Sequence, residues 1–181
     1  MSGGGERAAG KTIAMSDDLR IGHGYDLHRL QSGGRLVLAG VAVSTDISPV
    51  AHSDGDVVYH ALVDALLGAM GWGDIGEMFA NDDPRWKGAA STVFVEAVRA
   101  KIDAEKFAVR SLDVTILAER PKLKSFKPAM VENLRRLFPQ AVVNVKAGTN
   151  EGCDAIGRGE AIAAHAVVLL RRDAGMLPAH L

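Results

Sequence analysis

An α/β layer, with helices packed on one face of a mixed β-sheet, is the fold class this sequence predicts, and three observations predict it. Runs with strand character alternate with runs whose apolar residues recur at helical spacing. The connections mix a short glycine turn with longer crossovers, and no internal repeat or low-complexity linker interrupts the chain after residue 20. With 181 residues, 48% of them hydrophobic, the chain is long enough for one sizeable core. One domain is therefore expected over residues 20–172, after a Gly/Ala/Ser-rich lead-in at 1–19 that reads as disordered and before a tail at 173–181.

Taken in order, Leu19 to Leu30 and Arg35 to Ser44 are dense enough in apolar residues for two strands. The intervening Ser32-Gly33-Gly34 predicts a hairpin between them. After the loop TDISPVAHSDGD, the residues Val57, Val58, Ala61, Leu62, Ala65, Leu66 and Ala69 recur at helical spacing. Ser53 and Asp54 suit the N-cap of that helix, Asp56 adds a carboxylate to its first turn, and Gly71 and Gly73 end it. Residues 75–90 read as a loop, and a second helix follows near Ser91 to Glu105. The alternation over Ser111 to Ala118 predicts a strand, Lys127 to Leu137 a helix closed by Pro139, and Ala141 to Ala147 another strand. Periodicity leaves helix and strand open for the last apolar segment, Ala161 to Leu170; its place after a glycine-rich loop favours strand.

Composition excludes several classes of function. With 21 basic and 22 acidic residues the net charge is -1, so no overall field recruits nucleic acid or an anionic membrane. No apolar run approaches the roughly 20 residues that span a bilayer, so no membrane partner is expected. The single cysteine, Cys153, rules out an intrachain disulfide and a multi-cysteine zinc site, and fits a reducing, cytoplasmic compartment.

The stretch IGHGYDLHRL, residues 21–30, carries the first candidate site residues. Asp26 and His28 are two apart, so on an extended chain their side chains leave the same face. His60 lies in the first turns of the following helix. One carboxylate and two imidazoles make a ligand set that suits zinc and leaves a fourth tetrahedral position open. Asp64, one turn beyond His60, suits a partner that fixes the tautomer of that ring. An Asp-x-His pair and a lone helix histidine are also ordinary surface features, and spacing alone does not decide between the two readings.

The motifs taken together do more. IGHGYDLHRL at 21–30, AHSDGDVVYHALVDALLGAMGWGDIGEMF at 51–79, AERPKLK at 118–124 and GRGEAIA at 157–163 stand in an order and at a spacing that closely resemble the 2-C-methyl-D-erythritol 2,4-cyclodiphosphate synthase family. The resemblance runs from about Arg20 to Leu170. It implies an α/β homotrimer with active sites between neighbouring subunits. The implied reaction, in the non-mevalonate route to isoprenoid precursors, acts on 4-diphosphocytidyl-2-C-methyl-D-erythritol 2-phosphate. Its 2-phosphate oxygen attacks the β-phosphorus, CMP leaves and a cyclic diphosphate forms, which makes the enzyme a phosphorus-oxygen lyase.

Carried over residue by residue, the resemblance makes Asp26, His28 and His60 the zinc ligands, with Asp26 and His28 also facing the substrate. Glu151 becomes the carboxylate for a second divalent ion, Mg2+ or Mn2+. His52 and Ser53 would hold the 2-phosphate, and His52 and Thr149 would stabilise the transition state. Asp74, Gly76 and Phe79 would contact the methylerythritol end, with Asp83 the nearest carboxylate in the loop that closes over it. Ala118, Pro121, Lys122 and Leu123 would form the cytidine pocket. Arg158 matches an arginine beside a central anion-binding cavity, and its plainer reading is an intersubunit ion pair with Glu160. His23 is odd in register and is assigned to packing or to hydrogen bonding along the strand.

The chain departs from the family pattern at Ala80, Asn81, Gly148 and Asn150, and at Ala155 and Ile156, where an aromatic residue is common. These changes motivate a second hypothesis, a zinc-stabilised trimeric cytidine-nucleotide-binding protein with weak or lost turnover. A plastid location applies if the source is a plastid-bearing organism.

Overall fold

The structure is a computed structural model that describes residues 19–51, 53–80, 86 and 88–173. The lead-in up to residue 18, His52, Asn81, Asp83 and the tail from residue 174 lie outside the described residues. In chain order the elements are β1 (Leu19–Ser32), β2 (Leu36–Leu38), β3 (Val41–Ser44), β4 (Ile47–Pro49), α1 (Val57–Met70), α2 (Ile75–Met78), α3 (Thr92–Ala104), β5 (Phe107–Leu117), α4 (Lys127–Leu137), β6 (Val142–Gly148), α5 (Asp154–Gly157) and β7 (Ala161–Arg172). Five strands form one mixed sheet in the order β4-β1-β7-β5-β6, with β5 and β6 parallel and the other pairs antiparallel. The last apolar segment is thus a strand, β7, at the centre of the sheet between β1 and β5.

The expected hairpin between the first two apolar runs does not form. β1 instead pairs along most of its length with β7, and through Leu30 to Ser32 with β4. The run from Arg35 to Ser44 breaks at Ala39 and Gly40, which have φ of 48° and 74°, into a separate two-stranded ribbon of β2 and β3. The cause is long-range. Asp56 is fully buried, and its carboxylate accepts from Ala39 N at 2.9 Å and Gly40 N at 2.8 Å, which holds the turn against the start of α1. The same carboxylate accepts from Val58 N at 3.1 Å and Tyr59 N at 3.2 Å. Asp56 is therefore the N-cap itself, in place of the expected Ser53 or Asp54, and burial pushes its carboxyl up to about 6 against those backbone bonds. At the other end Gly71, at φ 69°, gives α1 the expected left-handed cap.

Helix α1 is buried nearly all round because it lies between the sheet and α3. Its approach to β1 is unusually close. A Cβ on Gly22 would stand 1.9 Å from the Ala65 carbonyl oxygen, and one on Gly24 1.9 Å from that of Ala61. Glycine on the strand facing alanine on the helix lets the two backbones touch. This contact brings His60, on α1, down to the face of β1 that carries Asp26 and His28. Together α1, α3 and α4 cover one face of the sheet. The other face stays open, and Ile21, Tyr25, Leu27, Val167 and Leu169 are exposed on it.

Candidate active site

Alternation along β1 sends Asp26 and His28 toward α1, as their two-residue spacing predicts, and sends His23 to the open face. There His23 Nε2 lies 3.1 Å from Nδ1 of His165 on β7, so its partner is cross-strand. On the helix side, His28 Nδ1 lies 2.9 Å and His60 Nδ1 3.1 Å from the same Asp26 oxygen, Oδ2. One ligand atom from each residue falls within 4.8 Å of the others, and no other such group of three occurs among the described residues.

The donor set fits a divalent ion. His28 Nδ1 is shielded from solvent and, although close to Asp26, has no hydrogen-bond partner. A shielded ring nitrogen beside a carboxylate is placed to ligate an ion. Around a tetrahedral ion with bonds of about 2.0–2.1 Å, ligand atoms stand roughly 3.3 Å apart, close to the 2.9 and 3.1 Å from Asp26 Oδ2 to the two rings.

The expected tautomer partner of His60 is not where it was placed. Asp64 accepts instead from Ile75 N at 2.8 Å and so anchors the start of α2. His60 Nε2 faces two hydroxyls, Ser91 Oγ at 2.9 Å and Ser53 Oγ at 3.1 Å. Behind Ser91 stands Asp54, which accepts from Ser91 Oγ and, at 3.0 Å, from Ser91 N. Spacing could not reveal this chain of contacts. Ser91 lies 31 residues from His60 and 37 from Asp54, and it arrives through the packing of α3 on α1.

Asp74 caps α2 by accepting from Glu77 N at 2.9 Å, with Gly76 in the first turn of that helix. Phe79 is buried, with its ring centroid 5.3 Å from Trp86 and 4.8 Å from Phe94; Phe94 in turn lies 6.3 Å from His60. Phe94 thus stands between Phe79 and the His60 ring.

The remaining candidates gather elsewhere. Parallel pairing sets Leu117 opposite Gly148, and Ala118 N donates to Gly148 O at 3.0 Å, so the loops after β5 and β6 emerge side by side. Ala118 thereby stands beside Gly148, with Pro121, Lys122 and Leu123 following in the first loop and Thr149 and Glu151 in the second. Ala118 and Leu123 are buried, Lys122 is exposed, and Thr149 Oγ1 donates to Glu151 Oε1 at 2.7 Å. Arg158 pairs with Glu160 of its own chain, Nε to Oε1 at 3.1 Å and Nη2 to Oε2 at 3.0 Å, so the pairing expected between subunits closes within one. The register runs Asp26, Ala164, Ile116, Ala147 across β1, β7, β5 and β6. Three inter-strand steps of about 4.8 Å put Asp26 roughly 14 Å across the sheet from Ala147, two residues before Thr149.

Known proteins share this sequence and fold. The YgbB family model matches residues 19–171.

The chain belongs to the YgbB family.

Its relatives carry the name that the motifs resemble. A 2-C-methyl-D-erythritol 2,4-cyclodiphosphate synthase of Pelobacter propionicus is 48% identical over 154 residues, which cover 84% of this chain and 98% of that one. The chloroplastic enzyme of that name from Arabidopsis thaliana is 45% identical over 155 residues, 84% of this chain and 67% of its own. A solved synthase in its CDP-bound form superposes with a TM-score of 0.77 at 39% identity, covering 83% of this chain and 99% of that one. The bifunctional IspDF of Campylobacter jejuni superposes at 0.78 and 38% identity over 86% of this chain, which spans 42% of that longer protein. YgbB relatives thus include bacterial and chloroplastic proteins. No helix among the described residues of this member is long and apolar enough to cross a membrane.

Proposed function

We propose that the chain converts 4-diphosphocytidyl-2-C-methyl-D-erythritol 2-phosphate to 2-C-methyl-D-erythritol 2,4-cyclodiphosphate and CMP. The observation that carries this reading is the convergence of Asp26, His28 and His60, with a shielded, unshared His28 nitrogen, in a YgbB chain close in sequence to synthases of that name. The new bond joins the 2-phosphate oxygen to the β-phosphorus. The β-phosphorus bond to the bridging oxygen breaks, CMP keeps that oxygen, and no water is consumed. Because the attacking phosphate oxygen is already ionised near neutral pH, the work is alignment and charge neutralisation, with no general base required.

Asp26, His28 and His60 would hold the first divalent ion, a donor set that suits zinc, and Glu151 the second, Mg2+ or Mn2+. When bound, such ions polarise phosphoryl oxygens as Lewis acids. Ser53, beside His60, and His52 take the 2-phosphate, and His52 and Thr149 face the charge that builds in the transition state. Asp74, Gly76 and Phe79 form the sugar end with Asp83. Ala118, Pro121, Lys122 and Leu123 hold the cytidine, and Arg158 keeps a place at the anion-binding cavity on the trimer axis.

The roughly 14 Å across the sheet between Asp26 on β1 and the strand that leads into Thr149 and Glu151 supports an active site completed by a neighbouring subunit, and so a homotrimer. A nucleotide-binding protein without turnover is the less favoured reading, since the ligand set is whole.

Incubation of the purified chain with the cytidyl substrate, Zn2+ and Mg2+, followed by phosphorus NMR, should show CMP and the cyclic diphosphate rising together. CMP with an open-chain bisphosphate would make the protein a hydrolase. Nucleotide bound without product would return the binding-protein reading.

A further inference from the structure

We propose that Ser91 and Asp54 are positioning residues: they fix the proton of His60 on Nε2, so that Nδ1 is left as a lone pair for the ion at Asp26 and His28. The inference rests on the metal reading of that centre and adds two residues that lie outside its ligand set.

The argument is a count of donors and acceptors. A carboxylate accepts and does not donate. Asp54 Oδ1 receives Ser91 Oγ and, at 3.2 Å, Asp56 N, while its Oδ2 receives Ser91 N at 3.0 Å. The one hydroxyl proton of Ser91 is therefore spent on Asp54, and Ser91 Oγ turns only lone pairs toward His60. Across the 2.9 Å between them, His60 Nε2 must be the donor. Ser53 Oγ is compatible, because it accepts from Gly55 N at 3.1 Å and has a second lone pair free to accept from the ring at 3.1 Å.

With Nε2 protonated, the neutral ring has its lone pair on Nδ1, 3.1 Å from an Asp26 oxygen that is itself an acceptor. Two acceptors face each other there with the unshared nitrogen of His28, and a cation satisfies all three. Ser91 is also one of only two fully buried polar side chains among the described residues, so no solvent competes for the contact. Partners of this kind orient a ligating ring and raise its basicity.

A purely structural role predicts something different. Asp54 N donates to Ala89 O at 3.3 Å, so the same contacts also tie the segment before α3 to the start of α1. If tying is all they do, substitution lowers the unfolding temperature and leaves the ligand chemistry alone.

The test uses the full chain with Zn2+ alone, titrated against a chelating dye, beside nitrogen-15 NMR of the His60 ring. In the wild type the ring should carry its proton on Nε2. Ser91→Ala should weaken Zn2+ binding by about tenfold or more and release the ring to mix tautomers. Asp54→Asn should cost at least as much, because the new amide donates to Ser91 Oγ and turns the hydroxyl proton toward His60 Nε2. Affinities within about twofold of wild type, with the His60 tautomer unchanged, would overturn the proposal and leave a structural tie. So would a zinc-loaded wild type whose His60 proton sits on Nδ1, whatever the variants do. A wild-type chain that binds no Zn2+ would sink the metal reading itself, and this inference with it.

Discussion

At the scale of single residues, the site is a matter of which atoms have partners. His60 has one nitrogen for Ser91 and one for the Asp26–His28 pair. His60→Ala should therefore abolish tight Zn2+ binding and lower turnover by roughly a thousandfold, the scale of the several kcal/mol that a Lewis acid contributes. Melting temperature should stay near that of the zinc-free wild type; a trimer that falls apart would instead make the ion structural. Asp56 is the complementary case, a buried carboxylate whose four backbone bonds hold α1 and the Ala39–Gly40 turn at once. Asp56→Asn keeps one acceptor oxygen and sets an amide against Gly40 N or Ala39 N. Denaturant unfolding should show a loss of about 2–3 kcal/mol, with no change in Zn2+ affinity per folded molecule. These residues differ in how well the sequence announces them. Asp26 and His28 are legible because strand periodicity alone puts them on one face. Ser91 and Asp54 are not, because their meeting depends on how two helices pack, and the same blindness gave Asp64 the tautomer role that Ser91 fills.

At the scale of elements, what could be read was whatever periodicity controls. The alternation or helical spacing of α1, α3, α4, β5, β6 and β7 is local, and each lies within a few residues of its expected place. The first hairpin was misread because its pairing is decided from outside: β7 competes for β1 from the far end of the chain, and Asp56 folds the second run on itself. The glycines of IGHGYDLHRL belong to this scale too. They look like turn residues, yet Gly22 and Gly24 are strand residues that admit a helix backbone. Gly24→Ala tests this. The new methyl would meet the Ala61 carbonyl at 1.9 Å, with no flexible side chain able to give way, so α1 must lift from β1. Unfolding should show a loss of about 3 kcal/mol, the upper end for overpacking. Because the lift carries His60 away from Asp26, Zn2+ affinity should fall as well. A variant of wild-type stability would mean that α1 and β1 sit further apart than the glycine contacts imply.

At the scale of the molecule, the open face of the sheet is the feature that the folded chain leaves unexplained. Ile21 is 72% exposed and lies in register with Leu169 on β7, and Tyr25, Leu27 and Val167 extend the apolar surface around them. A sheet face of this composition is ordinarily covered. The three strands that separate Asp26 from the loop carrying Thr149 and Glu151, roughly 14 Å across the sheet, ask for the same cover, since a second copy of the chain can supply the missing half of the site. The two arguments are independent, and one substitution joins them. In the isolated chain, Leu169→Glu sits on solvent-facing surface and should change stability by no more than about 0.5 kcal/mol. In a trimer formed over this face it places a charge in each apolar interface, and unpaired buried charge is costly enough to separate the subunits. Sedimentation should then show the wild type at three times the mass of the chain and the variant at the mass of one. The dissociated variant should still bind Zn2+, because Asp26, His28 and His60 come from one subunit, but on the proposed reading it should make no cyclic diphosphate, because the cytidine pocket would then have left with the neighbour. A variant that stays trimeric and active would move the interface off this face. A monomer that still cyclises would show that one chain suffices.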